Sequence, residues 1–283
     1  MSECIHEKYL HNGEIKYSID FSDKMVNRGL SVYEVIRIIQ SKYLFLQDHI
    51  LRLKASLHLL KHIYISDIKI ITNYLLKYKL ITDIKEGNIK VVINFSNGLN
   101  ELPQIFVYQI KHNYPNSEYY DKGIMVSLLS GKRNKPNAKF INLQINKLVA
   151  EEFYQKSIYE TLFIDKKGNI TEGSKSNLFF VKDNSVFTAP DKSVLLGITR
   201  KHVIELCREL GITVKKTNIH VDSLEDYDAA FITGTSVKIL PVKQINKYRF
   251  DVKNQTMIRL MEKFEIKITK YLAGTDEISN DIV

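Results

Sequence analysis

At 283 residues, 44% hydrophobic and 26% charged, the chain is long enough for a sizeable core and for two domains. Its net charge of +9 is spread over scattered lysines rather than gathered in a patch, which argues against a nucleic-acid partner and suits small anionic substrates. Cys4 and Cys207 form neither a disulfide framework nor a metal-ligand spacing, the first residues show no basic-then-apolar leader, and apolar runs such as 68–80 are broken by lysines; a cytoplasmic protein with no metal and no membrane span is expected.

In chain order, residues 32–39 are rich in β-branched side chains and predict a strand ending at Gln40-Ser41-Lys42, with a second short strand over 43–46. Asp48 is placed to cap a helix running to about His62, with Leu53, Leu57 and Leu60 on one face, and another amphipathic helix covers 68–80. Buried strands over 89–95 and 104–111 flank a loop at 96–103, and residues 113–123, with Pro115, Asn116 and Ser117, read as a linker.

A helix is expected after Lys139, with Ile145, Leu148, Val149 and Phe153 facing one way. The strand 161–165 turns at Lys167-Gly168-Asn169 into Ile170-Thr171-Glu172, and 178–181 pairs with 185–187 around Asp183-Asn184. Thr199 is placed to cap a helix carrying Val203, Leu206, Cys207 and Leu210 that stops at Gly211. Residues 229–233 make a short apolar strand running into Gly234, and the tail from about Gly274 reads as frayed. Strands and helices mix without strict alternation, so an α+β fold is expected. A small domain over 1–115, a linker over 116–124 and a large domain over 125–283 divide it.

Four segments carry chemistry: Ala138-Lys139-Phe140-Ile141-Asn142, Thr171-Glu172-Gly173-Ser174-Lys175-Ser176-Asn177, Gly197-Ile198-Thr199-Arg200 and Thr233-Gly234-Thr235-Ser236. Any one of them is a weak signal in so lysine-rich a chain. In this order, over about residues 26–242, they resemble the fold-type IV pyridoxal-phosphate (PLP) enzymes: D-amino acid aminotransferases, branched-chain aminotransferases and aminodeoxychorismate lyase. The resemblance implies a two-domain α+β fold, a homodimer with active sites near the subunit interface, and pyridoxal 5'-phosphate as cofactor.

By the same resemblance Lys139 is the Schiff-base lysine, in a Lys-x-x-Asn setting completed by Asn142, and Glu172 pairs with the pyridine nitrogen. Ile198 and Thr199 at the helix start, Gly234 and Thr235 with Ser236 at the strand end, and Arg52 on the first-domain helix surround the phosphate. Leu195 stacks on the ring, although its spacing alone fits a core leucine equally well. Tyr33 matches an active-site aromatic position, but the triplet before it reads Gly-Leu-Ser where the family has a Gly-Asp-Gly-like one.

The carboxylate traps of the known subfamilies are absent: 95–100 holds no arginine or histidine, and Asn88-Ile89-Lys90 stands where branched-chain enzymes carry Tyr-x-Arg. Arg28 and Lys90 remain as candidate cations for the substrate carboxylate, with Ser236 as a further substrate contact. The implied reaction moves an amino group between an α-amino acid, first a D-amino acid, and 2-oxoglutarate or pyruvate. A branched-chain L-amino acid donor or aminodeoxychorismate lyase activity are the alternatives.

Overall fold

The computed structural model describes residues 2–60, 68–96, 98, 99, 101–131, 136–143, 147–149, 151 and 158–274. The chain divides into two compact units: Met1–Asn113 with Ala138–Ile141 and Ile268–Val283, and Tyr114–Asn137 with Asn142–Lys267.

In the first unit, β1 (Lys8–His11), β2 (Glu14–Tyr17), α1 (Asp23–Asn27), β3 (Leu30–Ile39), β4 (Lys42–Tyr43), α2 (Leu46–His58), α3 (Lys69–Thr82), β5 (Gly87–Phe95) and β6 (Gln104–Ile110) follow in order. The strands form one six-stranded sheet, β2-β1-β6-β5-β3-β4, antiparallel at every pairing. β5 lies inside the sheet, and all nine of its residues are buried. Alternate residues of a strand face opposite sides. Val32, Ile36 and Ile38 of β3 therefore share one core with Ile50, Leu53 and Leu57 of α2 and Ile71 and Leu75 of α3. On the opposite face Tyr33 packs with Phe21, Val92, Phe106 and Tyr108.

Two local expectations change here. The strand expected over 43–46 stops at Tyr43, because Phe45 takes a left-handed conformation (φ 53°, ψ 40°) and α2 opens at Leu46. Asp48 is not the cap. It sits in the first turn, and the Leu46 N–H donates instead to the Tyr271 hydroxyl at 3.1 Å. A tertiary partner has replaced the local side-chain cap, and Asp48 retains a favourable place near the positive end of the helix.

The second unit contains α4 (Ser117–Lys122), β7 (Ile124–Ser130), β8 (Glu160–Ile164), β9 (Asn169–Gly173), β10 (Asn177–Lys182), β11 (Ser185–Thr188), α5 (Ile198–Glu209), β12 (Thr213–Lys216), β13 (Ile219–His220), β14 (Ala229–Gly234), β15 (Lys238–Ile245) and β16 (Tyr248–Arg249). The helix α6 (Gln255–Gly274) begins in this unit, and its residues from Ile268 belong to the first. The sheet runs β12-β11-β10-β14-β15-β7-β8-β9-β13, with β16 beside β15. An extra pairing, Asn177 with Glu172, joins β10 back to β9 and closes six of these strands into a ring. Val126, Leu162, Leu178, Phe180, Ile232 and Leu240 supply its core. Mixed pairing with helices laid on the sheets is the α+β architecture expected.

The segment read as linker contains α4, capped by the Asn116 side chain on the Tyr119 N–H. The helix expected after Lys139 lies largely outside the described residues: 147–149 are helical, and Ile145 and Phe153 are not among those described. The tail beyond Gly274 also lies outside them.

Candidate active site

Lys139 lies on a short segment docked against β3 by an antiparallel bridge between Val32 and Phe140. The Tyr33 N–H donates to the Lys139 carbonyl at 3.0 Å, the Ile141 N–H to the Ser31 carbonyl at 3.0 Å, and the Lys139 N–H to the buried Ser56 hydroxyl of α2 at 3.3 Å. Backbone and helix thus hold the Cα of Lys139, while its amine stands 4.7 Å from the centre of the Tyr33 ring. A cation over an aromatic face is attracted by the ring quadrupole. Lys90 points at the same ring from 5.0 Å. Its ammonium is paired with Glu3 at 2.5 Å.

The same strand carries a group that sequence reading missed. Glu34 falls in register with Val32 and Ile36, on the face toward α2, and is buried there with His49. Arg52 grips its carboxylate with both prongs, Nε to Oε1 at 2.7 Å and Nη2 to Oε2 at 2.6 Å. His49 Nδ1 lies 2.9 Å from Oε2. Burial alone would push the Glu34 carboxyl up, but Arg52 and the hydrogen bonds outweigh it and hold the group at about 2. Burial moves His49 the other way, below its ordinary value, against the pull of Glu34. An ionised Glu34 only accepts, so a neutral His49 must carry its proton on Nδ1. Arg52, expected near a phosphate, is therefore fixed in direction by one edge of its fork. Arg28 ends α1, is exposed, and offers its carbonyl to the Asn94 side-chain amide at 2.8 Å.

In the second unit, Glu172 and Asn177 face each other across the β9–β10 pairing, both buried. Glu172 Oε2 accepts from the Leu195 N–H at 2.9 Å, and the Asn177 amide donates to the Leu195 carbonyl at 2.8 Å. Both flanks of the Leu195 backbone are thereby pinned, and two residues later Gly197 opens α5. A Cβ on Gly197 would stand 2.0 Å from Asn177 Oδ1, so only glycine lets the helix start come this close. Thr199 is not the cap expected. Gly197 takes that position with extended backbone and no side-chain cap, the Lys201 N–H bonds its carbonyl at 2.9 Å, and Thr199 is buried in the first turn.

The ladder places the last predicted segment beside these groups. Asn177 pairs with Thr233 across β10 and β14. Gly234 approaches Lys175, and Thr235 and Ser236 form the turn before β15, half-buried. Glu172, Leu195, the start of α5 and the Gly234–Ser236 turn are thus gathered at one end of the sheet. Sequence reading also missed Glu160, whose buried carboxylate accepts from the Ser174 hydroxyl at 2.6 Å, the Ser176 hydroxyl at 3.0 Å and the Lys175 N–H at 3.2 Å. It shapes the Ser-rich loop between β9 and β10. Nothing in its local sequence marks it, because its partners come from the next hairpin.

These residues fit pyridoxal phosphate. Glu172 is a carboxylate at 2% exposure with one oxygen oriented by a backbone N–H, which suits a protonated ring nitrogen. The first turn of α5 has no side-chain cap and no acidic residue, so its N–H groups and dipole suit a phosphate. No group of three or more metal-ligating side chains occurs among the described residues, nor does a helix long and apolar enough to cross a membrane.

A family model for amino-transferase class IV matches residues 31–245. A D-alanine aminotransferase of Bacillus licheniformis is 27% identical over 255 residues, covering 84% of this chain and 88% of that protein. An aminodeoxychorismate lyase of Bacillus subtilis (strain 168) is 28% identical over 258 residues, covering 84% and 86%. A branched-chain amino acid aminotransferase of Escherichia coli shares the fold at a TM-score of 0.82 and 24% identity, covering 98% of this chain and 97% of that one. Another branched-chain enzyme of the same fold was solved with pyridoxamine 5'-phosphate. The chain belongs to the class IV aminotransferase family, with its fold-type IV architecture, and is a pyridoxal-phosphate-dependent transaminase.

Proposed function

We propose that the enzyme moves an amino group from a D-amino acid to a 2-oxo acid such as 2-oxoglutarate or pyruvate, as a cytoplasmic homodimer. The observation that carries the site assignment is the buried Glu172 carboxylate, bonded to the Leu195 N–H beside the uncapped start of α5. The D-donor is supported by the likeness to the Bacillus licheniformis D-alanine aminotransferase over most of both chains.

When bound, the cofactor supplies an electron sink for the charge left on the substrate α-carbon. Lys139 would hold the cofactor covalently through its amine, would be set free when the donor's amine takes its place, and would then carry the substrate α-proton as a base. Tyr33, whose ring stands beside that amine, limits the amine's freedom and excludes water from it. Glu172 keeps the ring nitrogen protonated. The Ile198 and Thr199 backbone, Gly234, Thr235 and Arg52 bind the phosphate, and Glu34 aims the Arg52 fork. Leu195 would pack against the ring. Arg28, Lys90 and Ser236 bind the substrate, the cations taking its carboxylate, because a charge entering a partly dry site needs a partner.

Purified holoenzyme is mixed in turn with D- and L-amino acids, and the change in cofactor absorbance is followed before and after a 2-oxo acid is added. Conversion with D-alanine or D-glutamate, reversed by pyruvate or 2-oxoglutarate, is expected. Conversion by branched-chain L-amino acids alone would overturn the D-donor assignment.

A further inference from the structure

One of the two cations proposed for the substrate carboxylate, Lys90, already holds a carboxylate from its own chain. Lys90 lies on the buried β5, its side chain 8% exposed. An ammonium there is costly without an anion. Glu3 provides one: its Oε1 is 2.5 Å from the Lys90 Nζ, and its Oε2 accepts from the Tyr108 hydroxyl at 3.1 Å. Burial first, and then Glu3 itself, hold that hydroxyl protonated, so it remains a donor.

Glu3 comes from a segment at the margin of the sheet. A single bridge between Cys4 and Ile110, the Glu3 N–H on Asp23 and the Ile5 N–H on Gln109 hold it. Its side chain is 32% exposed, so water and solutes reach the pair from that side. Lys90 and Lys139 approach the same Tyr33 ring, at 5.0 Å and 4.7 Å from its centre. The two nitrogens are no farther apart than the sum of those distances. The Glu3 carboxylate thus occupies a cation that shares the Tyr33 ring with Lys139, with a phenol as second donor.

We propose that Glu3 is an internal carboxylate that holds the Lys90–Tyr108 donor pair and is exchanged there for a carboxylate of the substrate. The inference rests on the transaminase site described above and adds a built-in competitor to it. Glu3 keeps Lys90 paired when no substrate is bound, and each binding event exchanges one charged partner for another, which weakens binding without losing the docking direction. Its role is one of positioning and competition, since it touches the donors and not the reacting atoms.

Glutarate, an unreactive dicarboxylate, is titrated into holoenzyme. In Glu3→Gln the donors lose their internal anion, and glutarate is expected to bind about tenfold more tightly than in the wild type, the scale of one charge-assisted hydrogen bond. Glu3→Asp, which keeps the charge but shortens the reach, should fall between the two. Adding Lys90→Gln to Glu3→Gln should abolish the gain. Equal glutarate affinity in wild type and both Glu3 variants overturns the exchange, as does a gain that survives Lys90→Gln. Binding is read without turnover, so an enzyme that transaminates but shows no gain defeats this inference alone. A wild type that converts no donor defeats the transaminase site reading instead.

Discussion

Lys139 is fixed through backbone contacts, which makes its side chain separable from folding, whereas the Glu172 side chain itself holds the Leu195 N–H. The Lys139 carbonyl and N–H hold the Tyr33 and Ser56 bonds, and Lys139→Ala leaves both in place. That variant should fold, lose transamination and release all cofactor on denaturation after borohydride treatment. A reduced, protein-linked cofactor would identify a different lysine. Glu172→Gln keeps an acceptor for the Leu195 N–H but not the charge, and a neutral amide favours ring protonation far less than a carboxylate does. It should retain cofactor and slow α-proton removal by about a hundredfold or more, roughly 3 kcal/mol of transition-state stabilisation. A wild-type isotope effect and rate with an α-deuterated donor would remove Glu172 from the mechanism. Motif order is what points to these two residues, and the roles proposed for them rest on it. Glu34, His49 and Glu160 were not legible in this way, because each is defined by partners in other elements, and nothing local distinguishes a paired buried carboxylate from an exposed one.

At the scale of elements, the strands were read well, by alternation in β3 and by continuous apolar runs in β5 and β14, since periodicity and β-branching are local signals. The starts of helices were read less well. Both α2 and α5 open where tertiary geometry, not a side-chain cap, settles the matter: the Tyr271 hydroxyl takes the Leu46 N–H, and Gly197 is pressed against Asn177. The second contact is testable. Gly197 has φ −63° and ψ 141°, which alanine accepts, so Gly197→Ala strains packing rather than backbone. The added methyl must displace Asn177 and break its bond to the Leu195 carbonyl, at a cost of about 1–3 kcal/mol, and it moves the helix start proposed to bind the phosphate. Lower thermal stability and weaker cofactor retention are expected together. Asn177→Ala in the same chain removes the clashing atom, so the double variant should be more stable than the two single losses predict. Strict additivity would show that the contact does not govern α5.

For the molecule as a whole, the Glu34–His49–Arg52 group ties acid stability to the first unit. Glu34 stands at about 2 in the folded chain against an ordinary 4.5, so the unfolded chain takes up its proton first as the pH falls. The stability it contributes is complete above 4.5 and is lost as the pH drops toward 2, on the order of 3 kcal/mol for a shift of this size. His49 acts in the same direction from higher pH. Its folded value lies below 6.5, so the native state resists a proton that the unfolded state accepts, and stability begins to decline as the pH falls through 6.5. Denaturant unfolding of the holoenzyme followed across this range should therefore show a two-stage acid decline. Glu34→Gln is expected to be less stable near neutral pH, because Arg52 loses its anion while remaining largely buried. The variant's profile should also be flatter between 4.5 and 2, since the titrating carboxyl is gone. His49→Gln should lessen the decline that starts near 6.5, to which His11 also contributes, and leave the lower one. A Glu34→Gln profile parallel to that of the wild type throughout the acid limb would place the acid sensitivity in other carboxylates and leave this group only a local role in aiming Arg52.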